Sequence, residues 1–223
     1  QPFAALGQCA LMQLYEREFE GHDLLVAQVL LTQSDIDDRR RFINARHTLK
    51  LLAEDLEAVP VINENDTVAN DEIRLGDNDR LAALVSSLFD ADLLVILSDV
   101  EGLYTANPAS DPSAKVLATV DPHSESLDSL VWSCKGGPGR GGMASKLSAA
   151  RVAAKIGVPT VIAPGRCLHV IDHILSGKVV GTLLRPTPEM DRSIGARRLW
   201  LLHGIAPSGS IYVDPGAVRA LCE

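Results

Sequence analysis

Apolar and polar positions divide the chain into short continuous runs and longer periodic stretches. Near the start, Leu6, Ala10 and Leu14 recur at helical spacing with Phe3 and Leu11 beside them, which predicts an amphipathic helix already under way. DLLVAQVLL, residues 23–31, reads as a strand, and the SDIDDRRR that follows supplies Ser34 or Asp35 as cap for a helix over roughly 35–57. EAVPVIN is a second strand. LGDNDRLAALVSSLFDA then opens a helix with Asp77 or Asn78 as cap, and DLLVILSD, residues 92–99, is a third strand. A polar, weakly periodic stretch leads to Cys134. After it, a glycine-rich loop feeds an alanine-rich helix over 142–156, GVPTVIAPG is the fourth strand, CLHVIDHILSG a short helix and GTLLRP a further strand.

The strands are apolar along their whole length and alternate with helices, which indicates an α/β fold with a largely parallel sheet covered on both faces. From Pro186 the texture changes: TPEMDRSIGARR is polar and basic, and LWLLHG and GSIYVDPGAVRA look like short β elements. That pattern predicts a main domain over 1–186, a linker over 187–197 and the opening of a small second domain over 198–223.

Composition narrows the partners. A net charge of −8 repels a phosphate backbone and argues against nucleic acid binding across the whole surface. Cys9, Cys134, Cys167 and Cys222 lie far apart without a C-x-x-C pair, which fits neither a zinc module nor a disulfide framework and points to a reducing cytoplasm. No apolar run approaches the ~20 residues that span a bilayer.

In an open parallel sheet, ligands bind beyond the carboxyl ends of the strands. Three polar clusters fall there: NEND with GDND after the second strand, SDVEGLYT after the third, and the loop before the alanine-rich helix. GGPGRGG places five glycines in seven residues, freeing backbone N–H groups to approach an anion at a helix N-terminus, with Lys146 in the first turn. It is not a Walker A loop, and a flexible connector explains it equally well when taken alone. Likewise, the acidic cluster alone reads as a solvated loop with capping Asp and Asn. Together, an acidic bowl and a cationic glycine loop suit phosphoryl transfer, in which positioning and charge neutralisation do most of the catalysis. His169 and His173 stand at i, i+4 without a third ligand and read as a helix-surface pair.

VPVINENDTVA…GDNDRLAAL, LSDVEGLYTANP, GRGGMASKLSAARVAAKIGVPTVIA and VGTLL, in this order and spacing, resemble the glutamate 5-kinases of the amino acid kinase fold over residues 1 to about 200. The resemblance implies a three-layer α/β/α sandwich with a mainly parallel central sheet. It also implies ATP and Mg²⁺ as cofactors, and L-glutamate as the acceptor that becomes γ-glutamyl phosphate, the first step of proline biosynthesis. Carried over residue by residue, it places Asp66, Asn78 and Asn63 at the amino acid. Lys146 would stabilise the transferring phosphoryl group, with Asp79 ordering it. Ser98 and Asp99, with Arg140, Gly141, Gly142, Met143, Ala144, Ser145 and Lys146, would line the nucleotide site. No protein-held metal is implied.

The resemblance further implies feedback inhibition by proline, a homo-oligomer (dimer or tetramer), and a C-terminal PUA domain of which 198–223 looks like the opening. In the family a strand, a glycine-rich loop with a second phosphate-binding lysine, and a serine loop come before the position of Gln1. The expectation is therefore a piece truncated at its N-terminus and inactive alone, since loss of one charge-stabilising group lowers rates by ~10²-fold or more. Rival readings are a non-catalytic amino-acid- or RNA-binding relative, resting on the basic run Arg192 to Arg198, and a same-fold kinase for another carboxylate.

Overall fold

The computed structural model describes residues 2–68, 78–108, 110–124, 126–127, 142–186, 209 and 212–222. Helix α1 (Pro2–Glu20) leads into β1 (Leu25–Leu31), then α2 (Gln33–Asp37) and α3 (Arg39–Lys50). A π-helical turn over Leu51–Asp55 precedes β2 (Ala58–Glu64). There follow α4 (Asn78–Phe89), β3 (Leu94–Ser98), β4 (Thr119–Val120), α5 (Met143–Ala154), β5 (Thr160–Pro164), α6 (Val170–Leu175), β6 (Thr182–Leu184) and α7 (Pro215–Cys222).

The described strands form two sheets rather than one. β1 and β2 pair in parallel, with Leu25 opposite Ala58 and Leu31 opposite Glu64. The second sheet runs β3-β5-β6-β4, parallel except for the antiparallel β5–β6 pair. One core nevertheless runs beneath both: Val29, Leu31 and Ile62 of the first sheet pack with Phe42 and Leu49 of α3, Leu84 and Leu88 of α4, and Ile96 and Ile162 of the second. In β5 the faces alternate, as a pleated strand demands: Ile162 enters this core while Val161 and Ala163 pack on the other side with Val170 of α6. Ala149, Ala150 and Ala153 line the buried side of α5, where small side chains let it pack closely on α4.

Several expectations need correction. The helix foreseen over 35–57 is broken at Asp38, whose extended backbone (φ −79°, ψ 120°) ends α2, while its carboxylate accepts the N–H groups of Arg40 and Arg41 to start α3. The backbone N–H of Arg41 is the main reason that the Asp38 carboxyl is held below the usual carboxylate range. The cap of α2 is Thr32, not Ser34 or Asp35. The N–H and hydroxyl of Thr32 both donate to Asp35, which is the third helical residue. The two-residue β4 lay hidden in the polar stretch, because so short a strand shows no period.

GSIYVDPGAVRA does not form a β element in its second half. Pro215 starts α7, and the Asp214 carboxylate accepts the N–H groups of Gly216 and Ala217 at 2.8 Å. LWLLHG, the linker over 187–197 and Cys134 lie outside the described residues. His169 stands ahead of α6 in a left-handed conformation (φ 58°) and faces Asp172 at 3.2 Å, so only His173 of that pair is helical. Among the described residues no helix is long and apolar enough to cross a membrane.

An ion-pair network fastens α3 to the end of α4. Arg46 donates to the Ser87 and Leu88 carbonyls at 3.1 and 3.0 Å, satisfying oxygens that a helix end leaves open, and also pairs with Asp90. Lys50 reaches the same carboxylate at 3.0 Å. Partial burial pushes the Asp90 carboxyl up, but the hydrogen bonds from Arg46 and Lys50 outweigh it and hold the group low. A carboxylate held low in the folded state contributes stability above its unfolded pKa and loses it as pH falls through the folded value. Asp90→Asn keeps a side chain that tolerates the left-handed backbone at this site (φ 53°) and should cost about 0.5–1 kcal/mol at pH 7. Urea denaturation across pH should show that deficit shrinking as pH falls through and below the ordinary carboxylate range.

Candidate active site

The carboxyl ends of β2 and β3 and the N-termini of α4 and α5 carry those foreseen residues that the structure describes. In a parallel pair both strands end on one edge: Glu64 ends β2 opposite Leu31, and Pro164 ends β5 opposite Ser98. The edge continues past β2, where Asn65 donates its N–H to the Leu31 carbonyl at 2.8 Å. A tight turn then closes from Asn65 to Val68 (N–H to carbonyl, 3.2 Å), with the Thr67 hydroxyl donating to the Asn65 side chain. This turn carries the half-buried Asp66. Asn63 folds back and accepts the Glu64 N–H at 2.9 Å.

Asp79 lies in the first turn of α4 and Lys146 in the first turn of α5. Their helices pack together with the two N-termini side by side, and the Lys146 ammonium donates to the Asp79 carboxylate at 2.9 Å. Only 12% of the lysine side chain and 16% of the aspartate side chain are exposed. A lysine so placed opposes the partial positive charge of its own helix terminus, and α5 has no acidic residue in its first turn to offset it. Asp79, arriving from another helix, supplies that offset. A local arrangement that works against helix stability is the kind that folded proteins retain at functional sites.

The glycine-loop residues are only partly in view. Gly142 is the N-cap of α5 with extended backbone, and its carbonyl accepts from Ser145 at 3.0 Å. Met143 packs against the main core, Ala144 is exposed, and Arg140 and Gly141 lie outside the described residues. Asn78 is the exposed first residue of α4 rather than its cap, and Asp77 lies outside the described residues. Ser98 is buried at the end of β3, with its hydroxyl donating to Asp99 at 3.2 Å. Among the described residues no hydrogen bond links Asp66 or Asn63 to the Lys146–Asp79 pair.

Two clefts open on this edge. One, of about 600 Å³, lies beyond β3 and β5 with Val116, Ala118, Pro164 and Val180 as apolar lining and Glu101 and Arg166 as charged lining. The other, of about 180 Å³, lies between α1 and the ends of β1 and β2, where Gln8, Gln28, Glu64 and Asp66 meet. Sequence reasoning missed Arg166, Gln8 and Gln28, and took in Glu101 only as part of the SDVEGLYT cluster. A signal existed for Gln28, the only polar residue in the apolar run 24–31. Among the described residues no three His, Cys, Asp or Glu side chains gather to hold a metal.

A family model described as the amino acid kinase family matches residues 1–164. Over all 223 residues the chain is 47% identical to the glutamate 5-kinase of Trichlorobacter lovleyi, covering 58% of that protein. It is also 47% identical over 223 residues to the glutamate 5-kinase of Pseudomonas fluorescens (strain Pf0-1), covering 59%. The chain thus spans less than two thirds of the length of these curated relatives. Among solved structures, a substrate complex of isopentenyl phosphate kinase is similar with a TM-score of 0.51 at 17% identity, over 83% of this chain and 73% of that one. The UMP kinase of Ureaplasma parvum follows with a TM-score of 0.50 at 14% identity, over 76% and 64%. At such identities the likeness speaks for the fold alone. Two sheets flanked by helices, 47% identity throughout to curated relatives and a matching model over most of the length agree: the chain belongs to the amino acid kinase family.

Proposed function

We propose that this chain forms the substrate- and nucleotide-binding part of a cytoplasmic glutamate 5-kinase, which transfers the γ-phosphoryl group of ATP to the γ-carboxylate of L-glutamate. One observation carries the reading: a largely buried Lys146–Asp79 pair, 12% and 16% exposed, at two helix N-termini, in a chain 47% identical throughout to glutamate 5-kinases.

The chemistry makes few demands beyond this. A γ-carboxylate is ionised at neutral pH, so the nucleophile needs no general base. Its oxygen attacks the γ-phosphorus, the bond to the β,γ-bridging oxygen breaks, and ADP leaves with that electron pair. The obstacle is repulsion between two anions. The Lys146 ammonium neutralises charge on the equatorial phosphoryl oxygens, aided by the N-termini of α4 and α5. Asp79 keeps the ammonium in place before substrates arrive. Mg²⁺, when bound to the nucleotide, shields its phosphates. Asp66 accepts hydrogen bonds from the substrate's α-ammonium group, Asn78 donates to a carboxylate, and Asn63 makes a further contact to the amino acid. The wider cleft beyond Ser98 and Asp99 takes the nucleotide. A main domain over 1–186 with a separate tail beyond 197, self-association, and inhibition by proline are parts of the same proposal.

The test is γ-glutamyl hydroxamate formation from ATP, L-glutamate and hydroxylamine by the full-length protein that carries this sequence. Folded protein that forms none would overturn the reading. In that assay Asp66→Ala should raise the KM for glutamate roughly tenfold or more, as loss of a charged hydrogen bond does, while leaving kcat within a few fold.

A further inference from the structure

The smaller cleft contains a pair of groups to which no role has been given. Gln28 projects from β1 toward α1, and its Nε2 donates to Oε1 of Gln8 at 2.9 Å. Both side chains line the cleft together with Leu30, Glu64, Asp66 and Thr67. No further hydrogen bond of either amide is seen among the described residues. One bond between two amides uses one donor and one acceptor, which leaves at least one of each on two side chains that line the cleft. Exchanging the two ends of both amides reverses the bond and leaves the same inventory. A free acceptor in a cleft that the Asp66 carboxylate also lines suits an ammonium group, and a free donor there suits a carboxylate. That combination is complementary to the zwitterionic end of an α-amino acid, and Glu64, which also lines the cleft, favours the ammonium end as Asp66 does. At about 180 Å³ the cleft is below the range of drug-sized pockets and in scale with a small metabolite.

We infer that Gln8 and Gln28 are specificity-determining residues of the amino-acid site, holding the α-ammonium and α-carboxylate of the substrate alongside Asp66. The inference rests on the glutamate kinase reading and extends it to α1 and β1, which carry none of the residues assigned above. A simpler role exists, in which the two amides merely satisfy each other at the α1–β1 contact. Apolar replacement of both would then leave ligand binding untouched, because removing both partners of a hydrogen bond is nearly neutral.

Calorimetry of L-glutamate and, separately, ATP binding to the full-length protein distinguishes these roles. Gln28→Leu and Gln8→Leu should each weaken glutamate binding roughly tenfold or more, leave ATP binding within twofold, and combine less than additively because they act as a unit. Gln28→Met, closer in shape, guards against a folding defect and should behave like Gln28→Leu. Unchanged glutamate affinity in folded variants, or equal losses for glutamate and ATP, would overturn the inference while leaving the kinase reading standing. A wild-type protein that binds ATP but not glutamate would instead overturn the kinase reading itself.

Discussion

Lys146→Ala should lower kcat for γ-glutamyl hydroxamate formation by about 10²–10³-fold while changing the KM for glutamate little, since removal of a preorganised charge-stabilising group typically has that effect. The reason is geometric. Lys146 is held at 2.9 Å by Asp79 with only 12% of its side chain exposed, so its charge is already desolvated and aimed before substrate binds. Truncation also leaves the Asp79 carboxylate unpaired where two phosphates and a carboxylate must gather, which adds repulsion to lost attraction. A split in which KM rises and kcat is kept would assign Lys146 to ground-state binding. An unchanged kcat would remove it from the reaction.

Gly181→Ala should unfold the second sheet, costing about 3 kcal/mol or more in urea denaturation. Gly181 has φ +74°, a conformation that side chains disfavour, and a Cβ there would fall 2.0 Å from the Ile162 carbonyl oxygen and 2.9 Å from the Ala163 Cα. Both obstacles are backbone atoms of β5, the strand that pairs antiparallel with β6 immediately after Gly181. Backbone cannot rotate aside as a flexible side chain can. Gly181 also lines the wider cleft, so a partly folded variant should lose ATP binding as well. Stability within 1 kcal/mol of wild type would show that the 176–181 segment has more room than its geometry suggests.

The placements that could be read from sequence share one property: they depend on residues near one another in the chain. β2 and β3 are apolar runs bounded by turn residues, α5 is a stretch of alanine after glycine, and the carboxyl-edge rule then assigned Asp66, Ser98 and Lys146 to one side of the sheet. The failures share the opposite property. At Asp38 the helical period continues through the break, and only a carboxylate turned back onto Arg40 and Arg41 shows that one helix has become two. In α7 the strand-like GSIYV ends where Pro215 and the Asp214 cap take over, a competition that composition does not decide. That β6 runs antiparallel to β5 is decided by the path of the chain through α6 between them, and nothing in VGTLL encodes direction.

The site divides in the same way. Sequence by itself determined which residue types were present, on which elements, and that an acidic half and a cationic half would face one edge. Only the tertiary structure decided partners. Asp79 and Lys146 are 67 residues apart, and the packing of α4 on α5 is what sets them at 2.9 Å. Gln8 and Gln28 became a pair because α1 lies on β1, and the Arg46 network exists because α3 ends beside the last turn of α4. Periodicity records which face of an element is buried, since burial acts on each residue through its own solvation. It does not record what lies opposite, because that depends on where the rest of the chain has been packed.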